Sequence, residues 1–272
     1  MSVPLPRIDF GVAAGDYVTH RQGPPAELFD RLARQFGIGA RGQDVVDVGT
    51  GTGVVARELA ARGARVVGVD PSPTMLAEAA RLAVADGLDV AWRHARAEET
   101  GLAAGSADVM TSCQAWHWFD RASAAAEARR VLRPGGTIAI LNFDWLSLPG
   151  SVVELTLSLV DHHRAGAPPI FRDGELCHNG VYPYWADDLA AAGFTAIEHL
   201  GFDITQRYTH DAWRGRMRSA ALVHTMPPAA QVAFDEDHAR ALAMGFSNPV
   251  EVPHRVFAVV ARAPKLRSTA GA

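Results

Sequence analysis

The sequence predicts an α/β fold in which helices cover a doubly wound, mostly parallel sheet of seven strands. After residue 40, short β-branched runs alternate with Ala- and Leu-rich helical stretches, which is the pattern of βαβ units. A glycine-rich turn, Gly49–Gly53, follows the first apolar run, as expected where a strand passes directly into a helix. With 272 residues, of which 48% are hydrophobic and 21% charged, the chain is long enough to bury a sizeable core.

The predicted strands and helices follow one another along the chain. Strands are assigned from short β-branched runs and helices from apolar residues at helical spacing. The predicted strands are Val45–Val48, Arg65–Val69, Asp89–Arg93, Ala107–Ser112, Thr137–Asn142, Thr195–Ile204 and Arg255–Arg262. The predicted helices are residues 24–37, Val54–Arg62, Pro73–Ala85, Arg121–Leu132, Val152–His163, Asp187–Gly193, Asp211–Val223 and Pro228–Ala243.

We expect a single domain over residues 1–264, followed by a disordered tail at 265–272. The expected parts of this domain are a helical N-terminal lid (1–40), a cofactor-binding half (41–147), helical and aromatic additions that form the substrate pocket (148–253) and the last strand (254–262).

Composition and charge exclude several classes of protein. A formal net charge of -4 provides no broad basic face, so we expect no nucleic acid partner. Cys113 and Cys177 are far apart and form no Cys-x-x-Cys motif, which is typical of a reduced, cytoplasmic protein. Residues 1–10 lack the apolar stretch of a signal peptide, and no segment reaches membrane-spanning length, so we expect no membrane partner.

The histidines do not predict a metal site. His162 and His163 are adjacent on a predicted helix, where their side chains point about 100° apart. Neither His178 nor Cys177 completes a recognised ligand spacing with them, so the expected metal is none.

The glycine loop Gly49–Gly53 indicates a nucleotide-type cofactor site. Glycine lets a ligand approach the backbone and tolerates positive φ, and the following helix presents free N–H groups at the same place. Such a turn also occurs for backbone reasons alone. Asp70 ends the second strand about 20 residues later, where doubly wound folds place a carboxylate against a ribose. The alternative for Asp70 is a helix cap, because Pro71-Ser72-Pro73 begins the next helix.

The motifs along residues 45–142 resemble those of class I S-adenosylmethionine-dependent methyltransferases. They are most similar to the small-molecule (type 11) branch, which includes quinone-biosynthesis and trans-aconitate methyltransferases. The resembling segments are Asp47–Gly53, Val69–Met75, Ala97–Glu99, Ser106–Val109, Gln114–Asp120 and Arg130–Gly136. The resemblance implies a Rossmann-like sheet whose last strand is antiparallel, and S-adenosyl-L-methionine as cofactor with S-adenosyl-L-homocysteine as product.

The resemblance also implies roles for single residues in holding the cofactor. Asp47 and the glycine loop would support its methionine portion, Asp70 its ribose, Met75 one face of adenine, and Ala97 with Glu98 the adenine edge. The implied cofactor-binding residues are Tyr17, Arg21, Asp47, Gly49, Thr50, Gly51, Gly53, Asp70, Pro71, Met75, Ala97, Glu98, Gln114 and Ala115.

Three of these implied contacts need comment. Tyr17 and Arg21 lie where related enzymes carry a Tyr-x-x-x-Arg pair that closes over the cofactor, and an arginine suits the cofactor's carboxylate. Relatives often have an acid where this chain has Arg96, so the adenine amine contact falls to Glu98 or to backbone.

The implied reaction is in-line transfer of a methyl group to an O, N or C atom of a small organic acceptor, a metabolite or natural product. No protein nucleophile is required, and a base is needed only if the acceptor loses a proton. His117 is the first candidate base because it follows the fourth strand at the carboxyl edge of the sheet. Its alternative is a packing cluster with Trp116 and Trp118. His20 is a second candidate, although a loop histidine without a task is an equal alternative.

The acceptor pocket is expected to draw on aromatic residues outside the resembling motifs. Trp213, Arg214 and Met217 share one face of a predicted helix, and Arg214 suits an anionic acceptor. An aromatic stripe on a helix also occurs as plain core. The candidate substrate-binding residues are Trp116, His117, Trp118, Tyr184, Trp185, Trp213, Arg214 and Met217.

Two other function classes stay open at this point. One is a non-catalytic protein that binds the same cofactor, and the other is a nicotinamide-dependent dehydrogenase built on a similar loop. The Pro-Ser-Pro sequence directly after Asp70 disfavours the dehydrogenase. The expected assembly is a monomer or homodimer.

Overall fold

The structure, a computed structural model, describes residues 23–164 and 180–265. The described residues form two compact units. The first, which we call the glycine-loop unit, comprises residues 23–143, 183–201 and 256–265. The second, the helical unit, comprises residues 144–164, 180–182 and 202–255.

One sheet of seven strands has the order β3-β2-β1-β4-β5-β7-β6. Within the run β3-β2-β1-β4-β5, every neighbouring pair of strands is parallel. The strands are β1 (Asp44–Val48), β2 (Arg65–Asp70), β3 (Val90–His94), β4 (Ala107–Cys113), β5 (Leu132–Trp145), β6 (Thr195–Tyr208) and β7 (Val250–Arg262).

Strand β7 runs antiparallel to β5. The Gly135 amide donates to the Ala263 carbonyl (3.1 Å), whereas the Leu146 amide, beyond the other end of β5, donates to the Pro253 carbonyl (2.8 Å). Rising residue numbers on one strand therefore meet falling numbers on the other. The predicted fold class, a mostly parallel seven-stranded Rossmann-like sheet with an antiparallel last strand, is confirmed.

The helices lie close to their predicted positions, and α5 matches its predicted bounds. They are α1 (Ala26–Phe36), α2 (Val54–Ala61), α3 (Pro73–Ala85), α4 (Arg121–Val131), α5 (Val152–His163), α6 (Trp185–Ala191), α7 (His210–Arg218), α8 (Ala221–His224) and α9 (Pro228–Gly245). A single 3-10 turn, Trp116–Trp118, lies between β4 and α4.

The fifth strand begins earlier than the sequence predicts. It starts at Leu132 rather than Thr137, and the strand register shifts where Ala107 pairs with Leu132 but Val109 pairs with Thr137. The residues between form a bulge, and Gly135 in it has φ +79°. A Pro-Gly-Gly run reads locally as a turn, but the pairing of Leu132 with β4 extends the strand across it.

Two differences concern the C-terminal half. The predicted helix Asp211–Val223 is two helices, because Ala220 has extended backbone dihedrals and is buried in the core of the helical unit. The last strand begins at Val250 rather than Arg255, since Val250, Val252 and His254 alternate into the interior. Tertiary packing decides both points.

The helical unit has its own core around a buried polar centre. Thr156 on α5 is fully buried, and its hydroxyl accepts from the Trp213 indole N–H at 3.0 Å and lies 3.0 Å from Nε2 of His238. Burial lowers the pKa of His238 to about 4, so this histidine is neutral at neutral pH. The core comprises Val152, Val153, Val160, Tyr208, Trp213, Met217, Ala220, Val223, Met226, Phe234, Leu242, Val250 and Val252.

Among the described residues, no helix has the length and apolar character needed to cross a bilayer. Within the same residues, no group of His, Cys, Asp and Glu side chains has an arrangement that would hold a metal ion.

Candidate cofactor site

The glycine loop between β1 and α2 is built from residues in the left-handed region. Gly49, Gly51 and Gly53 have φ of +66°, +55° and +75°, which glycine adopts without steric cost. The Gly53 amide donates to the Thr50 carbonyl at 2.8 Å and closes the turn. These conformations explain why glycines alternate here.

Gly49 is required by a close approach as well as by its φ. A Cβ at this position would lie 2.5 Å from Cβ of Ala115 and 2.9 Å from Cζ of Phe119. The segment after β4 therefore packs directly against the loop backbone. At Gly53 the close neighbour is Trp92, because a Cβ there would lie 2.5 Å from its ring. A side chain at Gly53 would therefore clash with Trp92, which explains why this position is a glycine.

Asp47 is a buried carboxylate beneath the loop. It is 1% exposed, and its two oxygens accept from the hydroxyls of Thr50 (2.6 Å) and Thr111 (2.7 Å). Burial raises the pKa of Asp47 to about 6, although both hydroxyl donors oppose this shift. The carboxylate ties β1 to its own loop and to β4, so its first task is to hold the loop in place.

Asp70 ends β2 beside the same loop. One carboxylate oxygen accepts from the Gly51 amide (2.8 Å) and the other from the Ser72 amide (2.9 Å). Burial raises the pKa of Asp70 against the effect of these donors. The cap of α3 is Ser72, whose hydroxyl accepts from the Met75 amide at 3.4 Å. Asp70 is therefore not the cap of α3, and from the described residues each of its oxygens accepts one hydrogen bond, which leaves a lone pair for a further donor.

The segment expected to meet adenine is anchored on α4. Glu127 accepts from the Thr100 amide (2.8 Å) and from Arg130 (2.6 Å), and these donors lower its pKa to about 2. Glu98 pairs with Arg96 at 3.2 Å and accepts from the Asp120 amide at 2.9 Å. The residue that departs from the family pattern, Arg96, therefore engages Glu98 itself.

Met75 and Ala97 are both buried, at 3% and 5% exposure. Met75 lies in the first turn of α3, the helix that follows Asp70. Ala97 directly precedes Glu98 in the sequence.

Gln114–Arg121, which we call the post-β4 segment, starts in a strained conformation. Gln114 has φ +53°, a region that costs a non-glycine residue about 1–3 kcal/mol. Two hydrogen bonds to β5 hold it there: its amide donates to the Leu141 carbonyl (2.9 Å), and its Nε2 donates to the Phe143 carbonyl. Strain maintained by surrounding contacts is typical of functional sites.

The aromatic residues of the post-β4 segment differ in exposure. Trp116 is fully buried, and its indole N–H donates to Asp188 on α6 at 3.1 Å. His117 and Trp118 are half-buried, with ring centroids 4.9 Å apart. Of the three, only His117 and Trp118 therefore keep exposed surface.

The other candidate substrate contacts lie in several environments. Tyr184 stacks under the guanidinium of Arg121 at 4.5 Å, and Trp185 is fully buried against Phe257. In the helical unit, Trp213 and Met217 are fully buried core residues. Arg214 is ion-paired with Asp235. These environments favour packing for Trp213 and Met217, and their predicted contact with substrate stays a prediction.

The predicted cofactor contacts Tyr17 and Arg21 lie outside the described residues, as do His20, Cys177 and His178. Several described residues that support the site were not assigned to it from the sequence, among them Thr111, Phe119 and Glu127. Thr111 pairs with Asp47 in the register between β1 and β4, so only the strand order brings it to the site. Ser72 lies in the Pro-Ser-Pro run that predicts the start of α3, but its part as the helix cap was not predicted.

Parallel strands bring these groups together. The glycine loop follows β1, Asp70 ends β2, and the post-β4 segment follows β4, and these three strands are adjacent in the order β2-β1-β4. The carboxyl edge of such a sheet is where ligands bind in open α/β folds. The fold is the Rossmann-like, mostly parallel sheet that class I methyltransferases share.

Residues 46–140 match the family model of the methyltransferase domain. S-adenosylmethionine is the cofactor of this family.

Curated relatives and solved structures agree with this family. An uncharacterised methyltransferase of Mycobacterium tuberculosis is 39% identical over 134 residues, which are 49% of this chain and 51% of that protein. An uncharacterised protein of the same organism is 35% identical over 161 residues, 57% of each chain. This chain spans about half the length of the curated relatives it matches.

The solved structures extend the likeness in fold over most of the chain. A candidate type II methyltransferase from Anaeromyxobacter dehalogenans has a TM-score of 0.63 at 24% identity, covering 90% of this chain and 99% of that one. Phosphoethanolamine N-methyltransferase 2 of Haemonchus contortus, in complex with phosphomonomethylethanolamine and S-adenosylhomocysteine, has a TM-score of 0.56 at 19% identity. That match covers 95% of this chain and 61% of the other.

Proposed function

We propose that this chain is an S-adenosylmethionine-dependent methyltransferase that acts on a small organic acceptor. The observation that carries the proposal is Asp70, a largely buried carboxylate at the carboxyl end of β2. It is held 2.8 Å from the Gly51 amide of the glycine loop. Each of its oxygens retains a lone pair, which matches the two hydroxyls of a ribose.

The chemistry of the neighbouring residues fits the same cofactor. Gly49, Gly51 and Gly53 have no side chains to block the loop backbone, and buried Met75 offers an apolar surface to adenine. Glu98 is the acid that we assign to the adenine edge. S-adenosylmethionine supplies a sulfonium whose methyl group is already activated for transfer. The protein therefore has to bind, orient and exclude water.

In this proposal the post-β4 segment faces the acceptor. Half-buried His117 is the base where the acceptor must lose a proton, and Trp118 beside it supplies an apolar wall. Tyr184 and Trp185 on the same unit, and Trp213, Arg214 and Met217 on the helical unit, remain the proposed substrate residues. Oxygen, nitrogen and carbon acceptors are all compatible with this set.

Calorimetric titration with S-adenosylhomocysteine tests the proposal. We expect saturable binding of S-adenosylhomocysteine and none of NAD or NADP. Asp70→Ala should weaken binding by ~10-fold or more, because a hydrogen bond to a charged group contributes about 1.5–3 kcal/mol. Asp89→Ala, an exposed acid in the loop before β3, is the matched control and should bind as the parent protein does.

Binding of NAD in place of S-adenosylhomocysteine would contradict the proposal and favour a dehydrogenase. Binding of S-adenosylhomocysteine without methyl transfer to any panel of hydroxyl, amine and carbon acceptors would instead favour a non-catalytic protein. With a responsive acceptor, His117→Ala should lower kcat while leaving the affinity for S-adenosylhomocysteine unchanged.

A further inference from the structure

A single carboxylate oxygen joins two parts of the glycine-loop unit that lie about 70 residues apart in sequence. Oδ2 of Asp188, on α6, accepts from the Trp116 indole N–H at 3.1 Å and lies 2.9 Å from Nε of Arg121. Asp188 and Arg121 are 17% and 23% exposed, and Trp116 is fully buried. The contacts are thus largely shielded from water, where such interactions are stronger than at the surface.

The two partners of Asp188, Trp116 and Arg121, lie on either side of the half-buried residues His117 and Trp118. Trp116 begins the 3-10 turn that contains His117 and Trp118, and Arg121 begins α4. Arg121 is also held by the ring of Tyr184, over which its guanidinium lies at 4.5 Å. One acid on α6 therefore contacts both ends of the stretch from Trp116 to Arg121.

The same turn forms a wall of the glycine loop. Between the two anchored residues lies Phe119, and just before them lies Ala115; both are close enough to Gly49 to exclude a Cβ there. A shift of the turn would remove this wall from the loop backbone. The position of Asp188 is therefore coupled to the geometry of the loop that is expected to hold the cofactor.

We propose that Asp188 is a positioning residue, which sets the post-β4 segment against the glycine loop through Trp116 and Arg121. This inference rests on the proposed function, since it assigns Asp188 a part in cofactor binding by that site. Asp188 touches neither the loop nor the predicted cofactor contacts in any described hydrogen bond, and it acts through the segment it anchors.

The test compares three variants with the parent protein at a temperature where all are folded. Asp188→Ala removes the acceptor and should weaken S-adenosylhomocysteine binding ~5-fold or more, because a buried donor is left unpaired. Asp188→Asn keeps the acceptor for the Trp116 indole but loses the charge that pairs with Arg121, so it should recover part of the affinity that Asp188→Ala loses. Asp187→Ala removes the exposed acid next to it on α6 and should bind as the parent does.

Hydrogen exchange in the absence of ligand supplies a second readout. Asp188→Ala should increase amide exchange in residues 114–121, and Asp188→Asn should increase it less. If Asp188→Ala does not fold, Trp116→Phe replaces it, because it removes only the indole donor and should change affinity and exchange in the same direction.

The outcomes separate the two proposals. A parent protein that binds S-adenosylhomocysteine, with equal affinity in every Asp188 variant, would overturn the role of Asp188 and leave the proposed function intact. A parent protein that does not bind S-adenosylhomocysteine would overturn the proposed function, and hydrogen exchange alone would then test whether Asp188 holds the post-β4 segment. Unchanged exchange in Asp188→Ala would overturn that role of Asp188.

Discussion

At the scale of single residues, Gly49 of the glycine loop is required for two reasons: its positive φ and the close approach of other side chains. Gly49 and Gly87 have almost the same φ, +66° and +67°, but only Gly49 is approached by other side chains. A Cβ at Gly87 would meet nothing within 4 Å. Alanine substitutions at these two glycines therefore distinguish the energetic cost of a left-handed conformation from the cost of a steric clash.

We expect Gly49→Ala to destabilise the protein by about 1–3 kcal/mol more than Gly87→Ala, because only the first forces Ala115 and Phe119 to move. Gly87→Ala should cost about 1–2 kcal/mol, from its φ alone. Urea unfolding of the two variants measures the difference. Equal losses in both would mean that the post-β4 segment yields without cost, and would contradict the packing described for the loop.

At the scale of elements, helix α4 holds the loop between β3 and β4 through one carboxylate. Hydrogen bonds from Arg130, and secondarily from Thr100, lower the pKa of Glu127 from 4.5 to about 2. A lowered pKa in the folded state means that the ionised carboxylate stabilises the fold above about pH 4.5. This stabilisation is lost as the pH falls from there toward 2.

We therefore expect Glu127→Gln to be less stable than the parent at pH 7, and the difference to shrink as the pH is lowered below 4.5. Unfolding free energies measured in urea across this range test the prediction. Glu99→Gln, an exposed acid of the same loop, is the control and should show no comparable change. A difference that grows on acidification would show that Glu127 is not held as the carboxylate in the folded protein.

At the scale of the whole molecule, cofactor binding and folding are linked by mass action. The glycine loop, Asp70 and the post-β4 segment meet only when β1, β2 and β4 are paired, so the unfolded chain has no site. S-adenosylhomocysteine should then stabilise the folded protein by about 2.7 kcal/mol at a concentration of 100 Kd. The thermal midpoint should rise with the logarithm of ligand concentration, and NAD should leave it unchanged.

Asp70→Ala is the control for this linkage, because it should need a higher ligand concentration for the same shift. An equal rise of Tm for the parent and for Asp70→Ala at every concentration would contradict the assigned site.

The candidate site could be predicted from sequence to the extent that its residues belong to local motifs. Gly49–Gly53 and Asp70 follow apolar strand runs, and each carries a local signal of its own. Thr111 carries no such signal, because a threonine within a strand has many uses. Asp188 looks like an ordinary helix acid, and only the pairing of distant segments shows that it receives the Trp116 indole.

By itself, the sequence determined the order of strands and helices along the chain, the glycine loop with its acid, and the resemblance of residues 45–142 to methyltransferases. These depend on short-range periodicity and on motifs of a few residues, which remain visible without a fold. Only the tertiary structure decided the start of β5, the break at Ala220 and the burial of Trp213. It also decided which residues support the loop. Each of these depends on contacts between residues far apart in the chain, and local sequence does not encode such contacts.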